Sequence, residues 1–186
     1  MHDVIFWLDV ETSGLSVHEH ELLEIAAIIT DLEGKRLAPP YTSLVRPQSS
    51  LPVVLETASP EARTMHESNR LWGDLWEGTL VKSRTEVSQD LIYLIETVAP
   101  DSTIIPGGTS INHDLAFVRM ELPDVAQKLS HQVIDTTTLK LVNEHFIDAK
   151  PFIRLGAHRA LPDTWDALEE YRTHINRLRS LNDCSY

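Results

Sequence analysis

Residues 4–15 read VIFWLDVETSGL, and this stretch decides the fold. Residues 4–8 are all apolar and rich in β-branched and aromatic side chains, which favours a buried β-strand. Asp9 and Glu11 lie two residues apart at the end of this strand, so both side chains point to the same face. A pair of acids is common at a solvent-facing strand end, but two carboxylates on one face repel each other and would be stabilised by a bound cation.

The rest of the chain predicts an α/β fold. Residues 22–30 and 43–46 have strand patterns and follow the first strand after short links, which favours an antiparallel meander. Two further strands are predicted at residues 102–105 and 133–135. Apolar residues at helical spacing predict helices in these ranges: 87–98, 114–121, 137–146 and 163–179, with short helical pieces at 61–68 and 71–76. The order βββαβαβαα predicts a mixed five-stranded sheet with flanking helices.

Composition predicts one globular domain over residues 1–186, because 42% of the residues are hydrophobic and 24% are charged. The only cysteine, Cys184, permits no internal disulfide. The longest apolar runs have five residues, whereas a membrane helix needs about 20, so we expect a cytoplasmic protein with no membrane partner. The net charge of −12 argues against a binder of long duplexes. It does not exclude a short nucleic acid held through metal ions.

Three further residues extend the carboxylate pattern. Asp114 and Asp163 each begin a predicted helix, where an isolated acid is typical of a helix cap. His158 lies five residues before Asp163 in a predicted loop, where a lone histidine is usually solvated. Four carboxylates at three element ends, however, are the oxygen ligands that Mg²⁺ or Mn²⁺ prefers. Two such ions roughly 3.5–4 Å apart promote displacement at phosphorus, and a nearby neutral histidine could remove a proton from the attacking water.

These residues also resemble the three motifs of the DEDDh 3′→5′ exonucleases. The motifs are residues 9–15 (DVETSGL), His113-Asp114 and residues 158–163 (HRALPD), and their order matches that family over about residues 3–180. Within the family the chain is most similar to the oligoribonucleases, through residues 22–26 (LLEIA) and 134–140 (IDTTTLK). The resemblance implies a ribonuclease H-like fold, a homodimer and the trimming of short RNA from its 3′ end to nucleoside 5′-monophosphates.

The same resemblance implies a role for each site residue. Four carboxylates would hold two divalent cations, Mg²⁺ or Mn²⁺: Asp9, Glu11, Asp114 and Asp163. His158 would be the general base. Thr12 and Leu15 would contact the 3′-terminal nucleotide, and His66 would line the base pocket. The alternative for Leu15 is a leucine of the core, and the alternative for His66 is a capped or solvated histidine.

The chain departs from the oligoribonuclease pattern at three places. Ser130-His131-Gln132 replaces a His-Tyr-Arg run that caps the substrate's 5′ phosphate, Glu61 stands near the usual pocket tryptophan, and Pro162 directly precedes Asp163. From the motifs we expect a metal-dependent exonuclease that acts on short single-stranded RNA rather than DNA. The departures leave open whether it is specialised for dinucleotides. Two alternatives also stay open: a proofreading-type exonuclease acting on DNA, and a non-catalytic interaction module with the same fold.

Overall fold

The computed structural model describes the backbone of residues 3–146 and 150–183 and the side chains up to residue 180, so Cys184 lies outside the described part. Within these ranges the chain forms six strands: β1 (Asp3–Thr12), β2 (Leu22–Thr30), β3 (Tyr41–Val45), β4 (Val81–Lys82), β5 (Thr103–Gly108) and β6 (Ile134–Asp135). The same ranges contain eight helices: α1 (Leu51–Thr57), α2 (Pro60–Ser68), α3 (Leu71–Glu77), α4 (Arg84–Val98), α5 (Asn112–Glu121), α6 (Pro123–Ala126), α7 (Thr136–Phe146) and α8 (Ala160–Asp183). None of these helices combines the length and apolar character needed to cross a membrane.

The strands form one mixed sheet in the order β4-β3-β2-β1-β5-β6. The three first strands form the predicted antiparallel meander, and β5 pairs parallel to β1. The predicted α/β class with a mixed sheet is confirmed, but the predicted count of five strands is wrong. The strand that was not predicted is β4. It has only two residues, which pair with Leu44 and Val45, so it is too short to produce an alternating pattern.

The central strand β1 is buried on both faces, which explains its continuous apolar run. Its even-numbered side chains pack in one core cluster with α4 and α5, represented by Phe6, Leu91 and Phe117. Its odd-numbered side chains Ile5 and Trp7 pack against α8. Each fully buried side chain of this size stabilises the fold by about 1.5–3 kcal/mol. Because side chains alternate along a strand, Asp9 and Glu11 share the face that is covered by α8.

A glycine at the end of β5 permits its close approach to β1. A Cβ atom on Gly108 would lie only 2.8 Å from the backbone oxygen of Leu8. No side chain fits there without moving one of the two strands. Helix α5 begins four residues later and places Asp114 against the backbone of Val10. The strand end and the start of α5 therefore come together because this position has no side chain.

Candidate active site

Three of the predicted metal ligands converge at the end of β1. Carboxylate oxygens of Asp9, Glu11 and Asp163 lie within 4.8 Å of one another. Asp9 and Glu11 project from the β1 face that α8 covers, and Asp163 lies in the first turn of α8. The helix begins at Ala160 rather than at the predicted Asp163, so Asp163 does not cap it but points from within its first turn. A group of three oxygen donors at this spacing could hold a divalent cation.

Asp114 lies beside this cluster and is held by the backbone. Its side chain is buried, and Oδ1 accepts a hydrogen bond of 2.9 Å from the backbone N–H of Val10. It lies in the first turn of α5, which begins at Asn112 rather than at the predicted Asp114. The charge of Asp114 raises the pKa of Asp9, so the two carboxylates interact. The role of Asp114 as a fourth metal ligand stays a prediction.

Burial raises the pKa of each of the four predicted metal ligands, because too little positive charge lies nearby to offset the loss of hydration. Burial raises the pKa of Asp9 well above its usual range, and the charges of Asp114 and Glu11 raise it further. Burial, with the charges of Asp163 and Glu24, raises the pKa of Glu11 to about 8. Burial raises the pKa of Asp114 to about 7, and it also raises the pKa of Asp163. Raised pKa values at four neighbouring acids favour either bound protons or a bound cation.

This burial predicts an unusual dependence of stability on pH. In the absence of divalent cations we expect the melting temperature to fall as pH rises, because the folded pKa of Glu11 is about 8 against an ordinary value of 4.5. Between these two values the folded state binds more protons than the unfolded state, so raising the pH favours unfolding. Thermal melts in EDTA from about pH 5 to about pH 8 measure this effect.

Two comparisons make the pH prediction specific to the acidic cluster. Glu11→Gln should flatten the pH dependence, because the amide carries no titrating proton. Mn²⁺ should raise the melting temperature more at the upper end of the range than at the lower end, because metal ions bind deprotonated carboxylates. A melting temperature in EDTA that stays constant or rises with pH would contradict the prediction.

His158 lies next to two of the carboxylates. It lines a cavity of about 240 Å³ together with Asp9 and Asp163. Its backbone has a φ of 51°, in the left-handed region that non-glycine residues rarely adopt. The side-chain amide of Asn69 donates a hydrogen bond to the His158 carbonyl and so supports this conformation. Strained backbone of this kind is concentrated at functional sites, where the surrounding structure holds it in place.

A partly buried ion pair anchors the segment that carries His158. The Arg159 guanidinium donates from Nε and Nη2 to the two carboxylate oxygens of Glu24, at 3.0 and 2.9 Å, and from Nη1 to Asp74 at 2.8 Å. Glu24 also accepts a hydrogen bond of 3.0 Å from the backbone N–H of Ala160, the first residue of α8. A two-pronged pair of this kind fixes direction as well as distance. Strand β2 therefore positions both His158 and the start of α8.

Our sequence interpretation missed Glu24 and Arg159 as site residues. The available signal was a carboxylate inside β2, whose sequence LLEIAAIIT is otherwise nearly all apolar. A buried carboxylate needs a charged or hydrogen-bonding partner. The sequence does not say which of the 16 Lys and Arg residues is that partner, since the two residues are far apart in the chain.

A second cavity adjoins Glu11 and has a volume of about 540 Å³. The surface exposed in this cavity is largely apolar, although polar residues also line it. The lining residues are Val10, Glu11, Thr12, Gly14, Leu15, Ser16, His20, Ser59, Glu61, Ala62, Met65 and His113. Leu15 is 80% exposed, so the alternative of a core leucine is wrong. The Thr12 hydroxyl donates a hydrogen bond of 2.8 Å to the carbonyl of Gly14 and so shapes the loop after β1. Both residues lie where a ligand beside the acidic cluster could contact them.

The structure places His66 behind this cavity rather than in its wall. Its side chain is 0% exposed, with Nε2 at 2.9 Å from the backbone oxygen of Thr12 and at 3.9 Å from Glu11 Oε2. Its ring contacts Trp72 edge-on, with the ring centroids 5.4 Å apart. Burial lowers the pKa of His66, which favours the neutral ring that donates to Thr12. His66 is thus neither a solvated histidine nor a lining residue, and it supports the strand end from inside the fold.

The sequence matches no family model. It is 29% identical over 175 residues to the oligoribonuclease of Streptomyces griseus, an alignment that covers 92% of this chain and 85% of that protein. The chain is a relative of the oligoribonucleases. The resemblance to oligoribonucleases predicted from the motifs is therefore confirmed, with 92% of the chain aligned.

Solved exonuclease structures share the fold. Exonuclease I of Methylocaldum szegediense matches with a TM-score of 0.70 and 15% identity, over 96% of this chain. A zinc-bound complex of E. coli exonuclease I with single-stranded DNA matches with a TM-score of 0.63 and 16% identity, over 98% of this chain. The present chain spans only 42% of either exonuclease I chain. At such identities the likeness shows the exonuclease fold alone.

Proposed function

We propose that this protein is a metal-dependent 3′→5′ exonuclease that releases nucleoside 5′-monophosphates from short single-stranded nucleic acid, with oligoribonucleotides as its main substrate. One observation carries the proposal: Asp9, Glu11 and Asp163 converge within 4.8 Å beside a cavity that His158 also lines. The similarity to an oligoribonuclease supports the same assignment. The retained carboxylates argue against a non-catalytic interaction module.

Two divalent cations, Mg²⁺ or Mn²⁺, are the cofactors that we propose for the site. The donor set fits them, because Asp9, Glu11 and Asp163 offer only oxygen atoms and have pKa values raised by burial. Asp114 is the fourth proposed ligand. When bound, the ions would supply an activated water and charge stabilisation at the leaving oxygen. They would also offset the repulsion between the carboxylates.

His158 is the proposed general base. It lines the same small cavity as Asp9 and Asp163, so a water held by those carboxylates would be within its reach. Asn69 and the Arg159–Glu24 pair fix the backbone on either side of it. A histidine held in a fixed position beside the attacking water is suited to accept its proton.

The 540 Å³ cavity is the proposed site for the 3′-terminal nucleoside. Its apolar wall suits a nucleobase, and the exposed Leu15 could pack against a base as the resemblance implies. Thr12 lies at the same wall, next to Glu11. With the terminal nucleoside there, the acidic cluster would face the terminal phosphodiester.

A homodimer is the assembly that we propose. Four large apolar side chains are exposed on α7 and on the segment before α8, which suits a surface between two copies: Leu141, Phe146, Ile153 and Leu155. Sedimentation analysis over a range of concentrations should give twice the chain mass of 21.0 kDa. A monomer at every concentration would contradict this assembly.

End-labelled RNA and DNA oligomers of about two to about twenty nucleotides, incubated with Mg²⁺, Mn²⁺ or EDTA, test the proposed activity. We expect stepwise shortening from the 3′ end of RNA, with EDTA stopping the reaction. The Asp163→Asn variant, purified in the same way, controls for contaminating nucleases. Equal degradation of DNA would favour the second candidate, a proofreading-type exonuclease acting on DNA. Absence of any metal-dependent shortening would overturn the proposal.

A further inference from the structure

The 240 Å³ cavity beside the acidic cluster is lined by a positively charged side chain, Arg154, that has no role in the proposed mechanism. The cavity is lined by seven residues: Asp9, Thr109, Arg154, Gly156, His158, Asp163 and Asp166. Arg154 is the one lining residue with a permanent positive charge. It faces the same space as Asp9 and Asp163, in a chain whose net charge is −12.

The Arg154 side chain is held in place by one of its three nitrogens. Nη2 pairs with the carboxylate of Glu170, whose side chain is only 1% exposed, and donates to the Thr136 hydroxyl at 3.2 Å. The Thr136 hydroxyl in turn is 2.9 Å from that of Thr109, which lines the same cavity. A buried carboxylate and a hydroxyl therefore fix the direction of the guanidinium.

The other two nitrogens of Arg154 are available to a ligand. Within the described part of the chain, Nε and Nη1 make no hydrogen bond, and the side chain is 33% exposed. A guanidinium anchored at one nitrogen presents its remaining donors in the flat geometry that matches phosphate oxygens. A residue that served only as counterion to Glu170 would not need to line the cavity.

We propose that Arg154 is a substrate-binding residue that donates from Nε and Nη1 to a backbone phosphate of the nucleic acid. The inference rests on the proposed function, since it assigns the ligand of the same site. The phosphate is either the one being cleaved or its neighbour on the 5′ side, and the chemistry of recognition is the same for both. Arg154 would supply the fixed positive charge that this acidic protein lacks elsewhere in the cavity.

Binding measured without turnover tests the contact directly. Fluorescence anisotropy of a 5′-labelled RNA of about ten nucleotides, in EDTA, gives the affinity of wild type and Arg154→Ala at several salt concentrations. We expect affinity to fall about tenfold, and the slope of log affinity against log salt to become shallower by about 0.7, the value for one phosphate contact on a single strand. Arg154→Lys should keep part of the affinity because it keeps the charge. Arg179→Ala, which removes an exposed arginine paired with Glu33, is the matched control and should change neither quantity.

Kinetics then distinguish the two phosphates. A 5′-phosphorylated dinucleotide has two phosphates, whereas the p-nitrophenyl ester of thymidine 5′-monophosphate has only the one that is cleaved. Arg154→Ala should raise KM for both substrates if the contact is to the reacting phosphate, and for the dinucleotide alone if it is to the neighbour. Unchanged KM for both substrates, with an unchanged salt slope, would overturn the inference.

A double variant separates substrate binding from folding. Arg154→Ala leaves Glu170 buried without its partner, which is destabilising, and adding Glu170→Gln removes that charge. The proposal expects the double variant to recover its melting temperature but not its RNA affinity. Recovery of both would show that Arg154 has only a structural role. If wild type shortens no oligomer, the proposed function fails, while the anisotropy comparison still decides whether Arg154 binds phosphate.

Discussion

Replacing Asp163 with asparagine should abolish hydrolysis, with kcat falling at least about a thousandfold, equivalent to about 4 kcal/mol of transition-state stabilisation. The amide has the size of the carboxylate but no charge, so the three-carboxylate cluster loses one of its oxygen anions. Steady-state assays with a labelled RNA measure the rate, and calorimetric titration with Mn²⁺ measures the loss of metal affinity. Both quantities should fall together if Asp163 is a ligand.

The Asp163→Asn protein should remain folded. Burial raises the pKa of Asp163, which means that its charge is unfavourable in the metal-free fold, and the neutral amide removes that cost. We therefore expect a melting temperature in EDTA at least equal to that of wild type. Asp124→Asn, an exposed acid in α6, is the matched control and should retain full activity. An Asp163→Asn protein with more than a tenth of wild-type kcat would refute the proposed role.

The second large effect concerns the proposed base. His158→Ala should lower kcat by about a hundredfold to a thousandfold, within the range of general acid–base contributions, while Mn²⁺ affinity changes little. The split distinguishes a base from a ligand, because loss of a ligand lowers both quantities. His18→Ala, an exposed histidine in the loop after β1, is the control; an unchanged rate at neutral pH in His158→Ala would exclude the base role.

The meeting of Asp9, Glu11 and Asp163 could be predicted from the sequence because strand geometry is simple. A continuous apolar run identifies β1 as a central strand, and alternation then places both of its acids on one face. The last helix packs on that face through residues at helical spacing, so its first turn lies near the strand end. The likeness of the motifs to exonuclease motifs identified the same residues independently.

Features that depend on tertiary contacts could not be predicted in this way. The resemblance implied that His66 lines the base pocket, but its hydrogen bond to the Thr12 carbonyl places it behind the cavity wall. The two-residue strand β4 and helix α1 are too short or too irregular to show a period. The Arg159–Glu24 pair joins residues 135 positions apart, and no local pattern contains such a distance.

The missing side chain at Gly108 has a consequence for how this site tolerates mutation. Any larger residue there would meet the Leu8 carbonyl at 2.8 Å and separate β5 from β1 at the point where α5 delivers Asp114. Gly108→Ala could then yield an ordered but inert enzyme, since the change spares every chemical group while shifting the backbone that aligns them. In a laboratory evolution experiment that selects for nuclease activity, position 108 should accept as little variation as the carboxylates of the acidic cluster.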